Sequence, residues 1–225
     1  MSYHRTEITP ELDEYIYRNF SADDEFLASL RRQAMMFKIP DISIAPDQAK
    51  FLQFLLRTLN AKYVLEVGTL AGYSAIVMAR TLPKDGKLVS IESNNLHYKF
   101  ACEKIYEADL QDIIEVHHAL ALDFLADFKP DYPLDFVLLD ADKKNLEKYV
   151  EICTPLMRKG GVIAIDNSFI LGNLTVAEPE LDDVHKHRIH DVIAVRKFNE
   201  YFRDNPNFES CLLTIGDGML LGVKV

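Results

Sequence analysis

Up to about residue 60 the apolar positions recur at helical spacing. Phe26, Leu27, Leu30 and Ala34 make one face, and Gln48, Leu52, Leu55, Leu56 and Leu59 make another. Ser21 and Asp24, ahead of the first face, read as a capping box, and Pro46 sits where a first helical turn accepts proline. The stretch between the two faces, residues 39–45, carries Pro40 and reads as an extended connection. From Tyr63 the pattern changes to short apolar runs separated by longer amphipathic stretches. The runs predict strands over Tyr63–Val67, Lys87–Glu92, Asp112–His117, Leu134–Asp140 and Gly161–Asp166. Helices are predicted after them, over roughly 73–82, 94–108, 120–128, 144–158 and 186–204.

Strands that are apolar throughout and separated by helices belong to a parallel sheet covered on both faces. The last thirty or so residues break that rhythm. Ser210–Ile215 and Met219–Lys224 flank Gly216-Asp217-Gly218, a hairpin signal for two antiparallel strands. The expected architecture is therefore α/β, with five parallel strands, a C-terminal hairpin and a helical N-terminal extension. No internal repeat or linker interrupts the chain. One domain is expected over 1–225, with the extension at 1–60 and the α/β core at 61–225.

Composition narrows the setting. The 225 residues are 48% hydrophobic and 27% charged, a mix that excludes collagen-like, low-complexity and largely disordered chains. Acidic residues outnumber basic ones, 35 to 25, which weighs against nucleic-acid or anionic-membrane binding. Cys102, Cys153 and Cys211 are odd in number and far apart, so a disulfide framework is not expected. No apolar run approaches the ~18 residues of a membrane helix, and the first residues lack the apolar core of a signal peptide. A soluble cytoplasmic protein is expected.

In open α/β sheets, ligands bind beyond the carboxyl ends of the strands. The first strand runs into Glu66-Val67-Gly68-Thr69-Leu70-Ala71-Gly72-Tyr73-Ser74, and all nine glycines lie at or beyond Gly68. Gly68 and Gly72 permit a tight turn and close approach of a ligand to the next helix's amides. By itself such a turn is as often structural, and the three-glycine dinucleotide fingerprint is missing because position 70 is Leu. The second strand ends at Glu92, about 20 residues past the turn, where a carboxylate can accept both ribose hydroxyls. Helix capping is the plainer role for that residue. Together the turn and Glu92 favour an adenosine-containing ligand.

The fourth strand ends in Asp140-Ala141-Asp142-Lys143 and the fifth in Asp166-Asn167. Two neighbouring strands thus deliver Asp140, Asp166 and Asn167 to one edge of the sheet. Three oxygen donors without Cys or His suit a hard octahedral cation such as Mg²⁺.

The runs 64–74, 140–143, 160–167 and 215–218 together resemble the cation-dependent S-adenosylmethionine (SAM) O-methyltransferases, the family of the caffeoyl-CoA and catechol enzymes. The resemblance extends from about residue 40 to the end of the chain. It implies a class I methyltransferase, Rossmann-like fold with a seven-stranded sheet and helices on both faces. It also implies that Glu66, Gly68, Thr69 and Ser74 line the methionine and adenosine side of SAM, that Glu92 holds the ribose, and that Ala121 and Asp142 complete the cofactor site. Asp140, Asp166 and Asn167 would bind the cation, Mg²⁺ first with Ca²⁺ or Mn²⁺ as alternatives. Lys143 matches the family's general base and, with Asp140, would form the catalytic pair. The acceptor implied is a small aromatic hydroxyl compound of catechol or hydroxycinnamoyl type, and the assembly implied is a homodimer. Two positions depart from the pattern: Ile44 stands where plant members carry a small hydroxyl residue, and Asn173 replaces a common Gly.

Methyl transfer from a sulfonium to oxygen needs a phenolate, whereas a phenol has a pKa near 10. A divalent cation stabilises the ionised oxygen, and Lys143 can take the proton. Other motifs weigh less. His185, His187 and His190 form HxHxxH, but Lys186 and Arg188 beside them oppose a metal and favour a solvated helix start. His117 and His118 read as a strand end. Ser74 lies outside any GxSxG elbow, which disfavours acyl transfer. The competing readings are a nicotinamide-dependent oxidoreductase and a non-catalytic metabolite-binding protein on the same fold.

Overall fold

The computed structural model describes residues 6–176 and 189–225. The helical opening contains α1 (Pro10–Ile16), α2 (Glu25–Met36) and α3 (Pro46–Leu59). A single π-helical turn, Tyr17–Ser21, separates the first two, so Ser21 does not cap α2. The cap is Asp24 itself, whose side chain accepts from Leu27 N at 2.9 Å. Pro46 opens α3 at its first position, where the missing N–H costs no hydrogen bond.

The alternating half follows as β1 (Tyr63–Val67), α4 (Tyr73–Ala79), β2 (Lys87–Glu92), α5 (Asn95–Glu107), β3 (Ile114–His118), α6 (Ala121–Asp127), β4 (Leu134–Leu139), α7 (Leu146–Leu156), β5 (Met157–Ile165), α8 (Ile189–Arg203), β6 (Phe208–Leu213) and β7 (Met219–Lys224). The sheet order is β3-β2-β1-β4-β5-β7-β6, parallel through the first five positions and antiparallel at β7 and β6. The predicted seven-stranded arrangement is the one observed.

Strand side chains alternate between two cores. Phe136 and Leu138 of β4 pack with Leu30 of α2, Leu52 of α3 and Ile76 of α4. Val137 and Leu139 face the other way, onto Leu125 of α6, Val150 of α7 and Phe198 of α8. All six residues of β4 are buried, as a central strand covered on both faces requires. Because Leu30 and Leu52 share a core with the sheet, α2 and α3 are packed into it. Phe51 and Leu55 also lie against that core, whereas Phe54 on the same helix is exposed. Among the described residues no helix is long and apolar enough to cross a membrane.

The strand order reverses between β1 and β4, and a crevice opens there at the carboxyl ends. Gly68, at φ +104°, follows β1 into it. A Cβ at Gly68 would overlap the carbonyl oxygen of Asp140, so this position must be glycine for β1 and β4 to run on side by side.

Candidate active site

A cavity of about 840 Å³ occupies this crevice. It has the size of sites that take a small molecule or cofactor. Gly68, Glu92, Ala121, Asp140, Asp142, Lys143, Asp166 and Asn167 all line it. Eight of the site residues expected from sequence thus share one wall.

The other three, Glu66, Thr69 and Ser74, stand off that wall. They are buried beneath the turn between β1 and α4, where Glu66 and Thr69 are linked through Ser90. Ser90 Oγ donates to Glu66 Oε2 at 2.5 Å, Thr69 and Ser90 share a hydroxyl hydrogen bond of 2.6 Å, and the Ser74 hydroxyl, like that of Ser90, favours the ionised form of the Glu66 carboxyl. Glu66 Oε1 is buried without a partner. Burial pushes the Glu66 carboxyl up to about 8, against a smaller opposing effect of the two hydroxyls.

Glu92 has a double attachment. Its Oε2 accepts from Leu70 N at 2.8 Å and its Oε1 from Asn94 N at 2.7 Å, while Asn94 caps α5. Leu70 reaches this carboxylate from a left-handed conformation, φ +48°, which costs a leucine about 1–3 kcal/mol. Glu92 therefore ties the turn to the next loop, and two amides leave a carboxylate with further acceptor capacity toward the cavity. Asp142 is held by Tyr149 Oη at 2.6 Å and Asn145 Nδ2 at 2.5 Å.

The acidic end of the cavity lies where β4 and β5 stop. Lys143 Nζ donates to Asn167 Oδ1 at 2.8 Å and is 3.8 Å from Asp140 Oδ1. Asn167 sits at φ +56°, a region asparagine tolerates better than most residues. Burial holds both the Asp140 and Asp166 carboxyls above the usual range; the Lys143 charge partly offsets this at each of them. Asp166 Oδ1 also accepts from Gln48 Nε2 at 2.5 Å.

Gln48 and Asp217 are among the cavity residues to which the sequence assigns no site role. Gln48 was visible as the one polar member of an apolar helical face, and that exception was the signal. Asp217 was assigned only to the hairpin turn between β6 and β7. The loop after β5 pairs with that turn, Ser168 N to Gly218 O at 3.0 Å and Phe169 N to Asp217 O at 2.9 Å. This pairing brings Asp217 to the cavity, where its carboxylate accepts from Leu171 N at 2.7 Å.

A family model described as O-methyltransferase matches residues 18–225. The chain belongs to the O-methyltransferase family. A catechol O-methyltransferase of Niastella koreensis is 36% identical over 72% of this chain and 74% of its own length. A caffeoyl-CoA O-methyltransferase of Stellaria longipes is 30% identical over 93% of this chain and 88% of its own. The crystal structure of a Bacillus cereus O-methyltransferase in complex with SAH superposes with a TM-score of 0.83 at 32% identity, covering 95% of this chain and 97% of the other.

In this O-methyltransferase the remaining candidates have ordinary structural partners. His118 Nε2 lies 3.1 Å from Ser93 O, and His117 pairs with Glu115 and packs at a tilt against Phe124. His185 and His187 lie outside the described residues, as do the predicted helical residues 186–188; His190 is exposed in the first turn of α8. In the loop after β5, Ile170 and Leu171 reach the cavity. The departures are buried: Ile44 lies in the core, and Asn173 Nδ2 donates to the carbonyls of Ile170 and Leu171 at 3.1 and 3.2 Å.

The donor set fits a hard cation in its chemistry. Among the described residues no three His, Cys, Asp or Glu side chains are placed to hold a metal. The third oxygen here is an amide, Asn167 Oδ1. The Lys143 ammonium, held by that oxygen and near Asp140, shows that this cluster draws a positive charge.

Proposed function

We propose that this O-methyltransferase transfers the methyl group of SAM to one hydroxyl of a vicinal diphenol-like small molecule, assisted by a divalent cation, Mg²⁺ first. The observation that carries this reading is the meeting of Asp140, Asp166, Asn167 and Lys143 in the same cavity as Gly68 and Glu92. The SAH complex of the Bacillus cereus relative and the catechol and caffeoyl-CoA relatives support it.

Gly68, Glu92, Ala121 and Asp142 would hold SAM, which supplies the methyl group when bound. Glu66, Thr69 and Ser74 would support the methionine side from beneath the turn. Asp140, Asp166 and Asn167 would hold the cation, which when bound stabilises an ionised acceptor hydroxyl. Lys143, as the free amine, would take the acceptor's proton at Nζ, and Asp140 would stabilise the ammonium that results. Ile170 and Leu171 give the aromatic ring an apolar surface and exclude water from the reacting oxygen.

The chain would act as one domain in the cytoplasm, a setting supported by three cysteines that form no disulfide. We infer a homodimer from the exposed apolar side chains of the N-terminal region, Phe20, Met36, Ile42 and Phe54. The acceptor assignment is tested with a panel of catechols, hydroxycinnamates, their thioesters and matched monophenols, with SAM and Mg²⁺. Methylation of vicinal diphenols with little turnover of monophenols is expected; equal use of both would overturn it.

A further inference from the structure

Gln48, with 2% of its surface exposed, is buried as deeply as any acid on the cavity wall, Asp166 at 3% included. A buried amide requires a reason, since each unmet polar atom costs free energy. Here both ends are used. Oε1 accepts from Ala45 N at 2.9 Å, closing the first turn of α3, and Nε2 donates to Asp166 Oδ1 at 2.5 Å. The amide cannot flip without setting an oxygen against the carboxylate and an NH₂ against a backbone N–H. The helix start therefore dictates which end faces Asp166.

Its position is enforced from outside as well. A Cβ at Gly216 would overlap the Gln48 side chain, so the hairpin turn closes directly over it. Asp47 Oδ2 accepts from Gly216 N at 3.2 Å, fastening the same turn to α3. Three separate elements thus converge: the N-terminal helix, the end of β5 and the β6–β7 turn.

We propose that Gln48 is a positioning residue for the cation site. By holding Asp166 Oδ1, it leaves Oδ2 as the oxygen presented to the cation and fixes the carboxylate's rotation. Carboxylate ligands that are themselves hydrogen-bonded in this way lose about 10–100-fold in metal affinity when the partner is removed. This inference rests on the cation reading above.

The test is Mn²⁺ binding followed by electron paramagnetic resonance, in the absence of SAM and acceptor, on wild type and Gln48→Met. Melting in EDTA reports whether the variant folds. A folded Gln48→Met should bind Mn²⁺ about 10–100-fold more weakly and bind S-adenosylhomocysteine within twofold of wild type. The loss should vanish when Asp166→Asn is already present, because the oxygen being held is then no longer a carboxylate ligand. Unchanged Mn²⁺ affinity in the folded variant would leave Gln48 as a helix cap only and overturn the proposal. A second readout needs no variant. The Gln48 side-chain amide protons of the wild type should shift on Mg²⁺ titration with the midpoint of metal binding, and resonances that do not move overturn the proposal equally. A wild type that binds no Mn²⁺ at all overturns the cation reading itself, and the role of Gln48 falls with it.

Discussion

Lys143 Nζ donates to Asn167 Oδ1 at 2.8 Å, so the expected proton acceptor already holds one of the oxygens expected to hold the cation. The same ammonium is 3.8 Å from Asp140 Oδ1. The base and the cation site are therefore coupled through shared partners. A cation and an ammonium placed among the same oxygens repel each other.

Lys143→Met keeps the bulk of the stem and removes the amine. Turnover at neutral pH should fall by about 10²–10⁴-fold, with partial recovery at high pH where the acceptor ionises unaided. Mn²⁺ affinity should rise, because a competing positive charge has gone. Near-normal turnover at neutral pH would reduce Lys143 to a charge beside the site.

Glu92→Ala should weaken S-adenosylhomocysteine binding by ~1.5–3 kcal/mol, the range for hydrogen bonds to a charged group. Titration calorimetry measures this directly. Mn²⁺ affinity should be nearly unchanged, since the cation oxygens come from the ends of β4 and β5. Unaltered cofactor affinity would confine Glu92 to joining Leu70 and Asn94.

The Glu66 carboxyl has a pH signature of its own. Its folded value, about 8, exceeds the ordinary 4.5, so between those values the folded chain keeps a proton that the unfolded chain releases. Its contribution to stability is complete below about pH 4.5 and declines as pH rises toward 8. Glu66→Gln carries a neutral isostere and lacks that decline. Denaturation curves should show the variant gaining on wild type by up to about 1.4 kcal/mol per pH unit across the window. Parallel curves would mean that Glu66 is ionised in the folded protein.

The sequence revealed the scaffold more fully than the site. β1, β2 and β7 begin and end where the apolar runs do. β5 starts earlier than Gly161 because the chain enters the ladder at Met157 and passes Gly160 and Gly161 within it, with a register shift opposite Leu134 and Phe136. Asp140, Asp166 and Asn167 were legible because they directly follow β4 and β5, and strand ends have a fixed place in this architecture. Gln48 and Asp217 were not legible as site residues, because neither ends a parallel strand. Their approach depends on packing between the N-terminal helix, the β5 loop and the hairpin, which no local pattern encodes. Glu66, Thr69 and Ser74 lie close to the turn in sequence, but side-chain direction turns them beneath it.

Light scattering checks the assembly. Phe54 is 69% exposed and Met36 80% exposed, apolar surface that a second copy would cover. A particle of twice the 25.7 kDa chain mass is expected at micromolar concentration, and a particle of the single-chain mass would contradict the dimer.

On the proposed reading, Asp140, Asp166 and Asn167 hold a cation, and methyl transfer depends on it. Its most direct test is transfer of labelled methyl from SAM to a catechol by EDTA-treated enzyme, before and after Mg²⁺ is restored, in wild type and Asp166→Ala. Wild type should lose activity in EDTA and regain it with Mg²⁺, while Asp166→Ala stays inactive in both conditions. Full activity of wild type in excess EDTA, together with an active Asp166→Ala, would contradict that reading.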